Sequence, residues 1–88
     1  MIFRIELSEK LSKILNKLAR KDPVLALAVY KKIKQLTELT TDGIAHLKNL
    51  KGDKSHLKRV HVGSFVLLFQ VKDRSLIFES FTHHDQAY

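Results

Sequence analysis

The spacing of apolar residues changes along this chain, and that change constrains the fold more than any other feature. The first half carries apolar residues at the i, i+3, i+4 and i+7 positions of one helix face, namely Leu11, Ile14, Leu15 and Leu18. From residue 57 the pattern becomes a period of two, as in "LKRVHV", which is typical of a β-strand. The sequence therefore predicts an α+β fold.

Two helices are predicted in the first half. Ser8 is a suitable N-cap for the first helix, and Glu9 is a favourable acid in its first turn. Asp22 followed by Pro23 predicts the start of a second helix, because Asp can cap it and Pro fits the first helical position. About two residues join the helices, which favours an antiparallel helical hairpin.

Four strands complete the prediction. Residues 2–7 alternate, and we expect Phe3, Ile5 and Leu7 to form the buried side of an N-terminal strand. Three further strands are predicted at 57–62, 65–71 and 76–83, with Gly63-Ser64 as a type II′ turn. The predicted order is β-α-α-β-β-β. We therefore expect one domain over residues 1–88. It would contain a four-stranded, mainly antiparallel twisted sheet, with the N-terminal helical hairpin packed on one face of that sheet.

The net positive charge of the chain indicates which kinds of partner it can bind. The formal net charge is +7 over 88 residues, which indicates either a polyanionic partner or a surface that keeps the protein soluble. The chain has no cysteine, so a disulfide scaffold or a thiolate metal site is excluded. The N-terminus does not resemble a signal peptide, and no apolar stretch reaches the roughly 20 residues that span a bilayer. We therefore expect a cytoplasmic protein.

The alternation of the predicted strands collects a candidate site. Arg59 and His61 share one face of their strand, and the tail that carries His83, His84 and Tyr88 can return to that face. The connection before the strand adds the basic residues Lys48, Lys51, Lys54 and Lys58. Arginine binds phosphate, histidine exchanges protons near neutral pH, and tyrosine stacks on bases or donates a hydrogen bond. Such a set suits phosphodiester chemistry.

Other interpretations of the histidines stand beside this one. Any single histidine is commonly a surface residue. A zinc site from His61, His83 and His84 is conceivable, but adjacent histidines on a strand point to opposite faces, and no helical His-x-x-x-His pattern occurs. We expect no metal, no cofactor and no small-molecule ligand.

Three segments resemble the RelE/ParE toxin superfamily of type II toxin–antitoxin modules. They are "LKNLKGD", "LKRVHVGSFVLLFQV" and the terminal "HHDQAY", and their order matches the family pattern over essentially the whole chain. The resemblance implies a toxin that enters the ribosomal A site and cuts mRNA without a metal, by attack of a ribose 2′-hydroxyl on the adjacent phosphate. It also implies a cognate antitoxin as partner. ParE-like members share the fold and act on DNA gyrase.

The resemblance also implies roles for individual residues. Arg59 and His84 would stabilise charge on the phosphate, His61 or His83 would be the base, and Tyr88 would stack or transfer a proton. The lysines at 48, 51, 54 and 58 would bind ribosomal RNA. Histidine in place of two family arginines implies a more pH-dependent activity.

Val66 departs from the family pattern, because the family usually has a catalytic or phosphate-binding arginine there. Losing one charge-stabilising donor typically costs about 10²–10³ in rate. An alternative prediction is therefore a catalytically weak or inactive binding protein of the same fold, or a gyrase-directed relative.

Overall fold

The computed structural model describes residues 3–86 and contains four strands and three α-helices in that range. In chain order the elements are β1 (Arg4–Leu7), α1 (Glu9–Lys21), α2 (Pro23–Thr37), α3 (Thr41–Ala45), β2 (Lys58–Val62), β3 (Phe65–Lys72) and β4 (Ser75–His83). Single 3₁₀ turns lie at Gly52–Lys54 and His84–Gln86. The predicted α+β order is confirmed, and α3 is an additional short helix in the connection before β2.

The capping residues hold the helical hairpin as the sequence predicts. Ser8 Oγ accepts a hydrogen bond from Leu11 N at 3.0 Å and donates one to the backbone oxygen of Glu79 at 2.7 Å. The first bond starts α1 and the second attaches it to β4. Asp22 Oδ1 accepts from Leu25 N at 3.1 Å and so starts α2 directly after α1 ends.

The sheet has the strand order β1-β4-β3-β2. β1 runs parallel to β4, whereas the two hairpin pairings are antiparallel, so the sheet is mainly antiparallel as predicted. The β2–β3 hairpin closes with Val62 opposite Phe65. Gly63 has a φ of 61° and Ser64 does not have a positive φ, which is the pattern of a type II′ turn.

The main core lies between the helical hairpin and one face of the sheet. Leu11 and Leu15 of α1 and Val29 and Ile33 of α2 pack with inward residues of β2 to β4, including Val62, Leu67, Phe69, Leu76 and Phe78. One expectation for this core is wrong. Phe3 is buried, but Ile5 and Leu7 are 42% and 37% exposed, because β1 is an outer strand with a neighbour on one side only.

A second, smaller apolar cluster lies on the opposite face of the sheet. It consists of Leu50 and Leu57 from the connection before β2, together with Val66 and Leu68 of β3. The connection therefore folds over part of the sheet face that the helices leave open. Within residues 3–86, no helix is long and apolar enough to cross a membrane.

Candidate functional site

Strand pairing determines which side chains share the sheet face away from the helices. Arg59 pairs with Leu68, His61 with Val66, and Val66 with Thr82 on the next strand. Side chains of directly paired residues lie on the same face. Arg59 and His61 therefore belong to the face that carries the second apolar cluster. His61 is exposed and Arg59 is half-buried.

The end of β4 brings a second imidazole to His61. The ring centroids of His61 and His84 lie 5.8 Å apart, with their planes inclined by 34°. The backbone N–H of His84 donates to Ser64 O at 3.0 Å, which ties the chain after β4 to the β2–β3 turn. Asp85 Oδ1 lies 3.5 Å from His84 Nδ1 and adds a carboxylate to the pair.

His83 lies on the other side of β4. It pairs with Phe65, and its ring contacts the Phe65 ring edge-on at a centroid distance of 5.4 Å. Phe65 packs against the main core, so His83 and His84 point to opposite sides of the strand end. The structure thus brings His84 to His61 and places the His83 ring against Phe65. Asp85 lies between the two histidines, since its Oδ2 is 3.6 Å from His83 Nδ1 and its backbone N–H donates to that nitrogen at 3.3 Å. Tyr88 lies outside the described residues.

The four predicted lysines do not form one group. Lys58 Nζ donates to Leu47 O at 3.1 Å and to Asn49 Oδ1 at 2.9 Å, so its ammonium holds the preceding connection. Lys58 also lines a hollow with Phe3, Ile44 and Val71, on the helix side of the sheet. The remaining three, Lys48, Lys51 and Lys54, are exposed on the connection.

Lys48 is the lysine that the backbone holds beside the candidate site. The backbone oxygen of Lys48 accepts a hydrogen bond from Arg59 N at 3.1 Å, and Asn49 forms an isolated antiparallel bridge with Lys58. The connection therefore extends the sheet edge by one short segment. Farther along, Lys51 precedes the Gly52–Lys54 turn and Lys54 is its last residue.

Val66 has a structural role that sequence spacing does not reveal. Its side chain is 0% exposed and packs with Leu50, Leu57 and Leu68. This cluster attaches the connection before β2 to the open face of the sheet. A guanidinium at position 66 would have to be desolvated among leucines, which is costly. Valine here is the side chain that fits this packing.

Thr82 is a polar group that the sequence analysis did not select. Its hydroxyl is buried and makes no hydrogen bond with the described residues. It lies beside Val66 on the face of Arg59 and His61. A buried hydroxyl without a partner is uncommon, and it becomes visible only when the strands are paired in register.

A basic groove continues the site around the outer edge of β2. We call it the edge groove. It has a volume of about 510 Å³ and is lined by Lys32, His46, Leu47, Lys48, Arg59, Val60 and His61. Lys32 belongs to α2, so the groove joins a helix to the site strand. Sequence reasoning missed Lys32, because nothing in the helical pattern shows that α2 lies beside β2.

The chemistry that these residues can perform follows from their types and positions. Two imidazoles beside each other can serve as proton acceptor and proton donor. A guanidinium on the same face can stabilise a negatively charged phosphate. Together with the basic groove, the arrangement suits binding and cleavage of a phosphodiester more than it suits a small apolar ligand.

Comparison with known structures shows which solved proteins share this fold. The chain superposes on YafQ from E. coli strain BL21(DE3) with a TM-score of 0.73 at 21% identity, over 98% of each chain. It superposes on one chain of the RelBE2 toxin–antitoxin complex from Mycobacterium tuberculosis with a TM-score of 0.72 at 16% identity. That match covers 94% of this chain and 99% of the other. These likenesses define the fold class.

Sequence comparison identifies the family. Residues 3–88 match the family described as the ParE toxin of type II toxin–antitoxin systems. A Methanocaldococcus jannaschii protein designated toxin RelE4 is 38% identical over 90 residues, covering 99% of this chain and 92% of that protein. The chain therefore belongs to the RelE/ParE superfamily, the toxins of type II toxin–antitoxin systems.

Proposed function

We propose that this toxin is a ribosome-dependent mRNA endoribonuclease that stops translation in the cytoplasm. The observation that carries the proposal is the pairing of His61 with His84, at a centroid distance of 5.8 Å, on the sheet face that also carries Arg59. These groups supply the proton acceptor, the proton donor and the positive charge that cleavage of RNA requires.

The proposed reaction is attack of a ribose 2′-hydroxyl on the adjacent phosphate. A base takes the hydroxyl proton, the 2′ oxygen forms a bond to phosphorus, and the bond from phosphorus to the 5′ oxygen breaks. An acid gives a proton to that leaving oxygen, and the products are a 2′,3′-cyclic phosphate and a 5′-hydroxyl. Atoms and charges balance without any further reactant.

We assign the base to His61, because it is exposed on the same face as Arg59 and lies beside His84, whereas the His83 ring lies against Phe65 on the other face. His84 in its protonated form supplies the acid and part of the positive charge. Arg59 supplies the remaining charge on the phosphate. Tyr88 would stack on a base or assist proton transfer. Lys51 and Lys54 would bind ribosomal RNA, and Lys48, which the backbone holds next to Arg59, would bind RNA beside the site.

The partner of the toxin is an antitoxin protein, which the toxin–antitoxin complexes among its structural neighbours support. We propose that the antitoxin docks on α2. Val24, Leu27 and Tyr30 are 80%, 57% and 45% exposed and follow each other at helical spacing. The helical hairpin surrounds them with charge, since residues 9–37 contain eight Lys and Arg against Glu9 and Asp22. An amphipathic segment with acidic flanks would complement such a surface.

The test of the proposed function is induced expression in a bacterial host, followed by primer extension on a reporter mRNA. We expect growth arrest and cuts within translated codons. The double variant His84→Ala, Tyr88→Ala and the single variant His61→Gln should abolish both. His56→Gln is the matched control, because His56 is an exposed histidine of the connection and does not line the site.

The other outcomes separate the alternatives. Intact mRNA with DNA damage would replace the proposal with a gyrase-directed toxin. Growth without arrest and without cuts, from a folded protein, would show an inactive binding protein of this fold.

A further inference from the structure

The edge groove carries positive charge that the proposed cleavage step does not use. Lys32, His46 and Lys48 line it together with Arg59 and His61. Among the described residues that line the groove, none is acidic. Its volume of about 510 Å³ falls within the range of about 300–1,000 Å³ that is usual for small-ligand sites. A ligand of this groove would therefore be anionic and of the size of a nucleotide.

The groove is continuous with the candidate site. Arg59 and His61 line the groove at β2, and the same two residues belong to the sheet face on which His84 lies. The hydrogen bond from Arg59 N to Lys48 O, at 3.1 Å, keeps Lys48 next to the strand. A strand of RNA whose scissile phosphate lies at Arg59 and His61 can thus continue into the groove.

His46 is oriented within the groove by a short hydrogen bond. Its Nδ1 lies 2.6 Å from the backbone oxygen of Asp42. A carbonyl oxygen can only accept, so Nδ1 is the donor and carries a hydrogen. The other ring nitrogen, Nε2, remains for a ligand, and in the protonated ring it can donate to a phosphate oxygen.

A second hollow is less suited to an anion than the edge groove. That hollow, of about 300 Å³, is lined by Phe3, Thr41, Ile44, Ala45, Lys58, Val71 and Asp73. Its one lysine already donates to Leu47 O and Asn49 Oδ1, and Asp73 adds an acid. An anion would therefore prefer the edge groove.

We propose that the edge groove is a subsite for the phosphate of a nucleotide next to the scissile one, with Lys32, His46 and Lys48 as its ligands. The proposal rests on the proposed function, because it assumes that RNA lies at Arg59 and His61. It assigns a role to a residue of the helical hairpin, Lys32, which lies outside the sheet face that carries His61 and His84.

The test is an NMR titration of the purified protein with short RNA oligonucleotides that carry 2′-O-methyl groups and so resist cleavage. A dinucleotide has one internal phosphate and can occupy the scissile position alone, whereas a tetranucleotide also reaches the groove. We expect the wild-type protein to bind the tetranucleotide more tightly than the dinucleotide. Lys32→Gln and Lys48→Gln should each reduce tetranucleotide affinity about threefold to fivefold and leave dinucleotide affinity unchanged.

Lys34→Gln is the matched control, because Lys34 is an exposed lysine of the same helix and does not line the groove. Equal effects of Lys32→Gln and Lys34→Gln, or equal affinities of the wild type for both oligonucleotides, would overturn the subsite. In that case, cleavage by the wild type in the primer-extension assay would still support the proposed function. Absence of cleavage would instead overturn the proposed function. Amide spectra of each variant show whether it is folded.

Discussion

At the scale of single residues, Val66 links the packing of this toxin to its chemistry. It is fully buried in the cluster with Leu50, Leu57 and Leu68, and it pairs directly with His61 across the β2–β3 ladder. The same side chain therefore holds the connection before β2 and supports the strand position of His61. A guanidinium at this position would replace these apolar contacts with a positive charge.

We expect Val66→Arg to destabilise the protein. Burial of an unpaired charge typically costs about 3–5 kcal/mol, although a long side chain can relieve part of it by reaching the surface. Denaturant unfolding measures the change in the free energy of unfolding.

Val66→Ala is the comparison for that measurement, since it removes the apolar contacts without adding a charge and should cost about 2 kcal/mol. A Val66→Arg protein as stable as the wild type would show that the cluster does not require an apolar side chain here.

At the scale of elements, the connection between α3 and β2 is the segment that completes the site. Leu50 and Leu57 pack on the sheet, and Lys58 holds the start of the connection through two hydrogen bonds, to Leu47 O and Asn49 Oδ1. Backbone bonds from Leu50 N to Leu57 O, at 2.9 Å, and from Arg59 N to Lys48 O close the segment on itself and on β2.

Lys58→Met is predicted to loosen this connection while leaving the sheet intact. The substitution keeps an apolar stem but removes both hydrogen bonds, each of which contributes about 0.5–1.5 kcal/mol. Hydrogen exchange should then speed up at Leu50 N and Arg59 N and remain slow within β3 and β4. Lys54→Met is the control, because Lys54 is exposed on the same connection. Unchanged exchange in Lys58→Met would show that the leucines alone hold the segment.

Leu27→Glu tests the helix face that we assign to the antitoxin. Leu27 is 57% exposed, so the substitution should change the stability of the free toxin little. It should weaken antitoxin binding at least tenfold, since it places a charged carboxylate in the centre of the apolar stripe, where it would be buried against the apolar side of the antitoxin segment. Calorimetric titration measures the affinity. Gln35→Glu, an exposed position of the same helix, is the control for the added charge. Equal affinities of both variants would place the antitoxin elsewhere.

Much of the element order follows from the sequence because local signals define it. Ser8 and Asp22 start the helices, and the period of two together with Gly63 gives the last three strands. The exposure of Ile5 and Leu7 depends on which strand lies at the edge, which is a property of the whole sheet. The same holds for the burial of Val66 and the position of Lys32. All of these depend on contacts between residues far apart in sequence, so composition and spacing do not reveal them.

At the scale of the whole molecule, positive charge surrounds the fold. The helical hairpin carries eight basic residues on one side of the sheet, while Arg59, Lys48, Lys51 and Lys54 lie on the other side or on its edge. A net charge of +7 on 88 residues attracts a large polyanion at long range and makes the association sensitive to salt. The two partners that we propose, a ribosome and an acidic antitoxin segment, would both present negative charge to this surface.

The central claim is that His61 and His84 act together on one phosphodiester. The most direct measurement is single-turnover cleavage of mRNA bound to purified ribosomes, with analysis of the product ends. We expect the wild type to leave 2′,3′-cyclic phosphate ends. The cleavage rate should be about 10²–10⁴-fold lower in His61→Gln and in His84→Gln. The double variant should be little slower than either single variant, and His56→Gln should cleave like the wild type. Cleavage at the wild-type rate by the double variant would show that His61 and His84 do not carry out the reaction.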